Sequence, residues 1–572
     1  MSNIPRSEYP RPDFKRDNWM SLNGKWDFSF DTNSFDKSIT VPYACESRLS
    51  GIEDTAFHPV VWYAKEFVLP DSMYGKRIIL HFGAVDYRCW VWVNGKQVKS
   101  HTGGQSSFSV DITDMVLFEN ANRLELKVED NPKNMEQLRG KQFWEEKSRS
   151  IFYTRTTGIW QSVWLEAVDE VHLEYIRVTP MFDEKAVRIE YAICGSGDIT
   201  LETAIYFEET LVTTVSAHGT GNKAFITISL EQPCLNSWNF YEDLAWSPEN
   251  PRLFDLHFKV YKEGMLKDEV DSYFGMRKVS IENGIFLLNN RPYYQKLVLD
   301  QGYWPESLMT APTDEAFIKD IQLIKKMGFN GLRMHQKAED PRFYYHTDRL
   351  GLLVWGEIGS AYIYSCAYAQ SMYEEWVQNV LRDYNHPSIV TWVPLNESWG
   401  VQEIKNNCSQ QAHSMAAYYI TKSLDSTRIV VDNDGWEHTC GDLLTIHDYE
   451  SKAQVLYERY STIENILKYT PAGKNLYVGN HSYSGQPILV SEYGGVCFTG
   501  EGADGWGYSS DSDPDEYAKH IAALTREIIK SPYIQGYCYT QFCDIETEQN
   551  GLLTYDRKPK VALELLRKAN QV

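Results

Sequence analysis

The sequence has no apolar run of about 20 residues, no cysteine pair in a Cys-x-x-Cys spacing and no basic stripe. The first absence excludes a transmembrane helix, and the second leaves a zinc site and a disulfide framework without support. A formal net charge of -22 and a pI near 5.1 would repel nucleic acid and anionic lipid. Because no apolar segment follows basic residues at the start, we expect a cytoplasmic protein, or a periplasmic or secreted one if a signal was removed.

What the sequence has is length: 572 residues, 43% of them apolar, suffice for several hydrophobic cores. Residues 24–166 form short alternating apolar and polar segments with an Asn94-Gly95 turn, which is typical of β-hairpins in a β-sandwich. The segment 131–158 within it is irregular, and loops of that length are often functional. The tryptophans predicted to anchor this core are Trp26, Trp92, Trp160 and Trp164.

A second series of strands follows over residues 171–279, with the length of an immunoglobulin-like sandwich. From about residue 280, apolar strands alternate with segments of helical periodicity, which indicates a (β/α)₈ TIM barrel. Its eight predicted strands are 294–300, 330–335, 352–357, 389–397, 428–434, 443–449, 488–492 and 534–541. We therefore predict three domains, over residues 1–169, 170–279 and 280–572.

Two glutamates, Glu397 and Glu492, each follow a β-branched strand of the predicted barrel. Active sites of such barrels lie at the carboxyl ends of the strands, and a glycosidic bond is broken by two carboxyl groups. The pair therefore predicts a glycosidase. Other polar residues end the same strands, and for these the alternative of capping a helix or binding loop amides stays open.

Motifs along nearly the whole chain resemble glycoside hydrolase family 2, which groups β-galactosidases, β-glucuronidases and β-mannosidases. They are Leu22-Asn-Gly-Lys-Trp-Asp-Phe28, Trp92-Val-Asn-Gly95, Gly158-Ile-Trp160, Phe274-Gly-Met-Arg277, Asn289-Asn-Arg-Pro292, His386-Pro-Ser-Ile389, Asn396-Glu397-Ser398, Ser491-Glu492-Tyr-Gly494 and Gly551-Leu-Leu-Thr-Tyr-Asp556. Each motif is weak alone, but their order and spacing are specific. The resemblance implies a jelly-roll sugar-binding-type domain, an immunoglobulin-like sandwich and a catalytic TIM barrel.

The resemblance also implies roles for particular residues. Glu397 would be the acid/base and Glu492 the nucleophile of a retaining mechanism with a covalent glycosyl-enzyme intermediate. Asn396 would hold the sugar 2-hydroxyl, while Arg333 and Tyr449 would support the charge of the nucleophile. We expect the negative Glu492 to keep Glu397 protonated. Further candidates for sugar binding are His335, Asp300, Glu357, Trp399, Asp434, Trp436, His447, Trp506 and Gln541.

Departures from the family pattern concern the substrate. β-Glucuronidases carry Asn-x-Lys before the last conserved glycine, where this chain has Glu548-Gln-Asn550, so no lysine of that motif can pair with a uronate. In Arg333-Met-His335 the histidine comes one residue earlier than in large β-galactosidases, which puts its role in doubt. These features favour an exo-acting, β-galactosidase-like enzyme on a terminal neutral sugar. A furanoside or β-mannoside substrate, or an inactive carbohydrate-binding protein on the same scaffold, stays open.

The expected partner is a carbohydrate substrate, and association into a homo-oligomer is compatible with the resemblance. No cofactor and no metal ion are expected, since the sequence has no His-x-His or His-Glu-x-x-His ligand pair. A metal-dependent hydrolase on the same barrel is therefore a weak alternative. A supporting cation held by scattered acids and histidines stays open.

Overall fold

The computed structural model describes residues 4–219, 223–235, 237–498 and 506–570. Within these residues, no helix is both long and apolar enough to cross a membrane. The chain forms a jelly-roll sandwich, an immunoglobulin-like sandwich and a TIM barrel, so the predicted fold class is confirmed.

The first domain is an antiparallel sandwich. Its strands are β1 Trp19–Ser21, β2 Gly24–Phe30, β3 Lys37–Val41, β4 Val60–Phe67, β5 Arg77–Phe82, β6 Val85–Asp86, β7 Arg88–Val93, β8 Lys96–Thr102, β9 Phe108–Asp111, β10 Asn122–Glu129, β11 Gly158–Ile159 and β12 Val163–Val168. One sheet has the order β3-β2-β4-β10-β7-β8 and faces a second of order β1-β12-β5-β9. Strand β10 buries every second residue, as expected for a strand with one face in a core.

The tryptophans of this domain differ from the prediction in two respects. Trp26 and Trp164 are buried in the first domain as predicted. Trp92 is only half-buried and stacks on Trp62 with ring centroids 5.7 Å apart, because it lies on the outer face of β7. Trp160 is buried, but it packs with the barrel core rather than the sandwich core, and its carbonyl accepts a hydrogen bond from Thr310 at 2.6 Å.

The second domain is a smaller antiparallel sandwich. Its elements are β13 His172–Met181, β14 Ala186–Cys194, β15 Ile199–Phe207, β16 Thr210–Gly219, β17 Lys223–Ser229, the short helix α1 Phe240–Asp243, β18 Phe254–Lys262 and β19 Met265–Phe274. Sheets of order β13-β14-β17 and β16-β15-β18-β19 enclose one apolar core. A small sheet, β20 Val279–Glu282, β21 Ile285–Leu288 and β22 Arg291–Pro292, leads into the barrel.

The barrel strands are those predicted. Seven have shorter bounds than predicted, and the strand predicted over 488–492 extends two residues further, to Gly494. They are β23 Gln295–Asp300, β24 Gly331–Met334, β25 Leu353–Glu357, β26 Ile389–Val393, β27 Ile429–Val430, β28 Leu444–Asp448, β29 Ile488–Gly494 and β32 Ile534–Thr540. All pair in parallel, in the order β27-β26-β25-β24-β23-β32-β29-β28. Beside the mouth, β30 Val496–Phe498 pairs with β31 Ser509–Asp511.

Helices surround the barrel. They are α2 Asp314–Lys326, α3 Pro341–Leu350, α4 Cys366–Arg382, α5 Cys408–Leu424, α6 Ala453–Arg459, α7 Ile463–Lys468, α8 Pro514–Lys530 and α9 Leu563–Ala569. The side chain of Thr313 caps α2 by accepting the Ala316 N–H. These helices cover the apolar faces of the strands and leave the strand ends as an open polar rim.

Residues 131–158, here called the long loop, leave the first domain and lie on the barrel. Gly140 donates its N–H to the Ser360 carbonyl at 3.0 Å, and Thr154 donates its N–H to the Glu546 carboxylate at 3.0 Å. Gly140 has a φ of +56°, and a Cβ there would meet the Gln336 carbonyl oxygen at 2.6 Å. Only glycine fits so close an approach, so the long loop is anchored to the barrel mouth at a defined point.

Candidate active site

Arg333, on β24, is the centre of the polar cluster inside the barrel mouth. Its fully buried guanidinium donates to Glu357 Oε1 at 2.7 Å and to Asn396 Oδ1 at 3.1 Å. Its Nη1 lies 2.6 Å from Asp434 Oδ2 and 3.1 Å from Glu492 Oε1. Burial alone would lower the pKa of Arg333, but these surrounding carboxylates raise it well above its usual value. One permanent cation thus orders side chains from several strand ends.

Glu492, on β29, is held by donors at both carboxylate oxygens. Oε1 accepts from Arg333, and Oε2 accepts a short hydrogen bond from the Tyr449 hydroxyl. The Tyr449 ring stacks on Tyr508, with ring centroids 3.3 Å apart. Burial and the charge of Glu492 raise the pKa of Tyr449 well above its usual value, so this hydroxyl remains a donor.

Glu397 lies just beyond β26, where the backbone turns sharply. Its φ of +52° is in the left-handed region, and its N–H donates to the Asp434 carbonyl at 2.9 Å. Ser398 has a φ of +58° and donates its N–H to Asn433 Oδ1 at 2.9 Å. Asn433 therefore supports this turn. Such strained conformations persist where neighbouring groups hold them, often at active sites.

The two glutamates face each other. A carboxylate oxygen of Glu397 and one of Glu492 lie within 4.8 Å. Two carboxyl groups this close can both reach one glycosidic bond, which glycosidases break with such a pair.

His447, on β28, bridges two acids. Its Nδ1 lies 2.7 Å from Glu397 Oε1, and its Nε2 lies 2.7 Å from Asp434 Oδ2. Burial lowers the pKa of His447, but the charges of Glu492 and Asp434 outweigh it and raise the pKa to about 10. Although burial raises the pKa of Glu397, the hydrogen bond from His447 lowers it overall. The expectation that Glu492 keeps Glu397 protonated is therefore wrong for the free site, because the imidazolium favours the carboxylate.

A metal ion is one chemical use of such a cluster. Glu397, His447 and Glu492 each offer a ligand atom close enough to the others for metal binding. However, both nitrogens of His447 already face carboxylates, and the Arg333 guanidinium lies beside Glu492. A metal would have to displace one proton and approach a second cation, so this arrangement suits proton transfer better.

The structure places the remaining predicted residues unevenly around the mouth. His335 Nδ1 lies 3.2 Å from Glu357 Oε2, within the cluster. Trp436 packs edge-on against His447, with ring centroids 5.5 Å apart. Asp300 and Gln541 bind residues of the loop that follows β23. Asp300 accepts from the Gly302 N–H at 3.0 Å, and Gln541 accepts from Gln301 at 3.0 Å. Trp399 packs against Phe152 and Tyr362, and Trp506 packs edge-on against Tyr508.

Glu357 and Asp434 both bind the Arg333 guanidinium, so their role is to support that side chain. Several buried donor atoms have no partner among the residues described: Asn396 Nδ2, Trp436 Nε1 and Gln541 Nε2. Buried donors of this kind ordinarily find an acceptor. They are available for the hydroxyl oxygens of a sugar.

Sequence reasoning missed part of the mouth. Lys141 and Tyr153 come from the long loop, whereas Glu548 and Tyr508 come from the far end of the chain. The Lys141 ammonium lies 5.1 Å from the centroid of the Trp399 ring, and the Tyr153 hydroxyl donates to Glu548. The unusual length of the loop was a signal of function, but no local pattern singled out these residues.

A pair of facing carboxylates at the C-terminal mouth of a (β/α)₈ barrel is the arrangement with which a glycosidase breaks a glycosidic bond. The comparisons with known families agree. The sugar binding domain model of glycosyl hydrolases family 2 matches residues 24–167, the central family 2 model matches residues 171–277, and the TIM barrel domain model matches residues 279–572. The chain belongs to glycosyl hydrolase family 2.

The proteins similar to this chain are named after different substrates. A β-galactosidase of Thermoanaerobacter pseudethanolicus is 25% identical over 75% of this chain, which spans 56% of that protein's length. A β-glucuronidase of Canis lupus familiaris is 26% identical over 89% of this chain and 80% of its own. Among solved structures, a β-galacturonidase from Eisenbergiella tayi has a TM-score of 0.76 at 20% identity, covering 99% of this chain and 98% of its own. A β-glucuronidase of Bifidobacterium dentium has a TM-score of 0.79 at 20% identity, with 98% of both chains covered.

Proposed function

We propose that this glycosidase is an exo-acting, retaining enzyme that releases a terminal neutral sugar, with Glu492 as nucleophile and Glu397 as acid/base. The observation that carries the proposal is the close approach of these two carboxylates, within 4.8 Å at one oxygen of each. A sugar ring between them would present its anomeric carbon to one and its glycosidic oxygen to the other.

In the first step, a Glu492 oxygen attacks the anomeric carbon and the bond to the leaving oxygen breaks. Glu397 gives a proton to that oxygen. In the free site this proton lies in the hydrogen bond between His447 Nδ1 and Glu397 Oε1, which are 2.7 Å apart. Transfer along it leaves a neutral imidazole that still donates to Asp434, and a neutral Glu397 ready to act as an acid.

The second step releases the sugar. Glu397, ionised after the first step, takes a proton from water, and the oxygen of that water attacks the anomeric carbon and displaces Glu492. Arg333 and Tyr449 hold the carboxylate as it leaves, since both donate to it in the free site. Two displacements on opposite faces give net retention.

Two features support an exo mode and a neutral sugar. The long loop covers part of the mouth, and a covered mouth favours chain ends over chain interiors. Glu548 is a buried carboxylate, and it would repel a sugar carboxylate placed next to it. A β-galactoside is our first candidate substrate, and a furanoside or β-mannoside would fit the same mechanism.

A panel of 4-nitrophenyl glycosides tests this function. The panel should contain β-galactoside, β-mannoside, β-glucoside, β-galactofuranoside and the matching uronides, with Glu492→Ala as the control. We expect turnover of at least one neutral glycoside and a loss of roughly 10⁴-fold or more in the variant. NMR of the first-formed anomer should show retention. Turnover by neither protein would indicate a binding protein, and an inverted product would contradict the roles of both glutamates.

A further inference from the structure

Lys141 is an unusual residue for the first domain to contribute. The residue is only 8% exposed, and its ammonium lies over the Trp399 ring at 5.1 Å from the centroid. Trp399 is two residues beyond Glu397. Within the described part of the chain this ammonium has no ion pair, although its charge acts on the Glu397 and Glu548 carboxylates. A buried lysine ordinarily has a partner, so its position points to an acceptor that a ligand supplies.

The backbone around Lys141 is fixed rather than adaptable. The Lys141 carbonyl accepts the Tyr153 N–H at 2.9 Å, and the preceding residue, Gly140, is anchored on the barrel by Ser360. The Tyr362 hydroxyl also donates to the Gly140 carbonyl at 2.5 Å. These hydrogen bonds fix the backbone of Lys141 at the barrel mouth.

Tyr153 connects Lys141 to Glu548. Its hydroxyl donates to Glu548 Oε2, while Asn550 Nδ2 donates to Oε1 at 3.0 Å. Glu548 is 2% exposed. Burial raises the pKa of Glu548, whereas the nearby Lys141 charge opposes that rise. Each carboxylate oxygen can accept a second hydrogen bond, so Glu548 retains acceptor capacity for a ligand.

We infer that Lys141 and Glu548 together form a specificity-determining pair that contacts a hydroxyl-bearing part of the terminal sugar and disfavours a carboxylate at that position. A hydroxyl accepts from the Lys141 ammonium and donates to Glu548 in the same complex. A sugar carboxylate has no proton to donate to Glu548 and repels it. This inference rests on the proposed glycosidase function and names the chemistry that selects its substrate.

Matched substrates test the pair. The neutral glycoside turned over fastest in the panel is compared with its uronide, for example β-galactoside with β-galacturonide, by kcat/KM. We expect the wild type to favour the neutral member by at least 10-fold. Lys141→Met should lower kcat/KM on the neutral member by 10-fold or more, mainly through KM, and Glu548→Gln should shift the ratio toward the uronide by about 10-fold.

Exposed residues of the same loop serve as controls. Lys147→Met and Glu146→Gln remove the same charges from exposed positions and should leave both rates unchanged. Thermal midpoints of all variants identify any loss of folding, and Lys141→Arg should recover part of the activity because it restores the charge.

Two results would overturn the inference. In the first, the wild type favours the uronide and Lys141→Met removes that preference, which would make Lys141 a carboxylate ligand. In the second, Lys141→Met behaves like Lys147→Met. Turnover of no glycoside would instead reject the proposed function. In that case, calorimetric binding of galactose and galacturonate to the wild type and Glu548→Gln still tests the pair by their ratio of Kd values.

Discussion

The catalytic mouth has two walls that are built differently. The strand-end wall consists of Arg333, Glu357, Asp434, His447 and Glu492, all carried by barrel strands or the turns that follow them. Each of these side chains is bonded to another member of the same wall, with Arg333 in contact with three acids. The loop wall consists of Lys141, Tyr153, Tyr508 and Glu548, which lie outside the barrel strands, and the contact of Tyr153 with Glu548 joins residues 395 positions apart.

We attribute the reaction to the strand-end wall and the choice of substrate to the loop wall. Groups that stabilise a developing charge work best when already oriented, and cross-bonded side chains on strands provide this orientation. Groups that select a substituent can differ between relatives without changing the reaction, which suits loops. We therefore expect changes in the strand-end wall to remove activity on every substrate, and changes in the loop wall to alter the choice among substrates.

The largest effect is expected from Arg333→Met. Removal of this cation leaves Glu357, Asp434 and Glu492 buried without their shared partner, and breaking a buried ion pair costs about 3 to 5 kcal/mol of folding free energy. Activity should fall at least roughly 10³-fold on all substrates. Urea denaturation and steady-state kinetics measure the two losses.

Arg349→Met, an exposed arginine on α3, is the matched control and should change neither quantity. If Arg333→Met kept normal stability, the strand-end wall would not depend on its central cation.

A smaller, pH-dependent effect is expected from His447→Gln. The pKa of His447 is raised to about 10 in the folded protein, from 6.5 for a free histidine. Its stabilising effect is therefore fully present below about pH 6.5 and is lost as the pH rises toward 10. The stability advantage of the wild type, on the order of a few kcal/mol near neutral pH, should shrink steadily through this range.

Denaturation midpoints at pH 6, 8 and 10 give that difference. Activity of the variant should fall about 10²-fold, because Glu397 loses the donor from which its proton comes. A stability difference that grew with pH would mean that His447 is neutral in the folded protein.

The fold could be predicted largely because its signals are local. Alternation, helical periodicity and turn residues located all eight barrel strands, and the polar residue after each strand located the mouth. The convergence of Arg333, Glu397 and Glu492 then follows from barrel geometry, since parallel strands bring their ends to one rim.

Other properties of the site depend on packing between distant segments. The lowered pKa of Glu397 results from its contact with His447 on β28. The positions of these two residues along the chain do not predict that contact. The contact of Tyr153 with Glu548 likewise requires the first domain to dock on the barrel. Sequence patterns report which face of an element is apolar, and not which loop crosses to another domain.

The smallest effect is expected from Tyr153→Phe, which tests whether the two walls are separable. The change removes one hydroxyl donor from Glu548 and keeps the ring in contact with Tyr303, whose ring centroid lies 5.1 Å away. Loss of a single hydrogen bond to a buried carboxylate should cost about 1 to 3 kcal/mol of stability. The neutral-to-uronide ratio should change by roughly 3-fold to 10-fold, since Glu548 is less firmly placed. Tyr74→Phe, at an exposed position, is the control. A loss of all activity comparable to Arg333→Met would show that the loop wall also orients the reacting groups, and that recognition and chemistry are not divided between the walls.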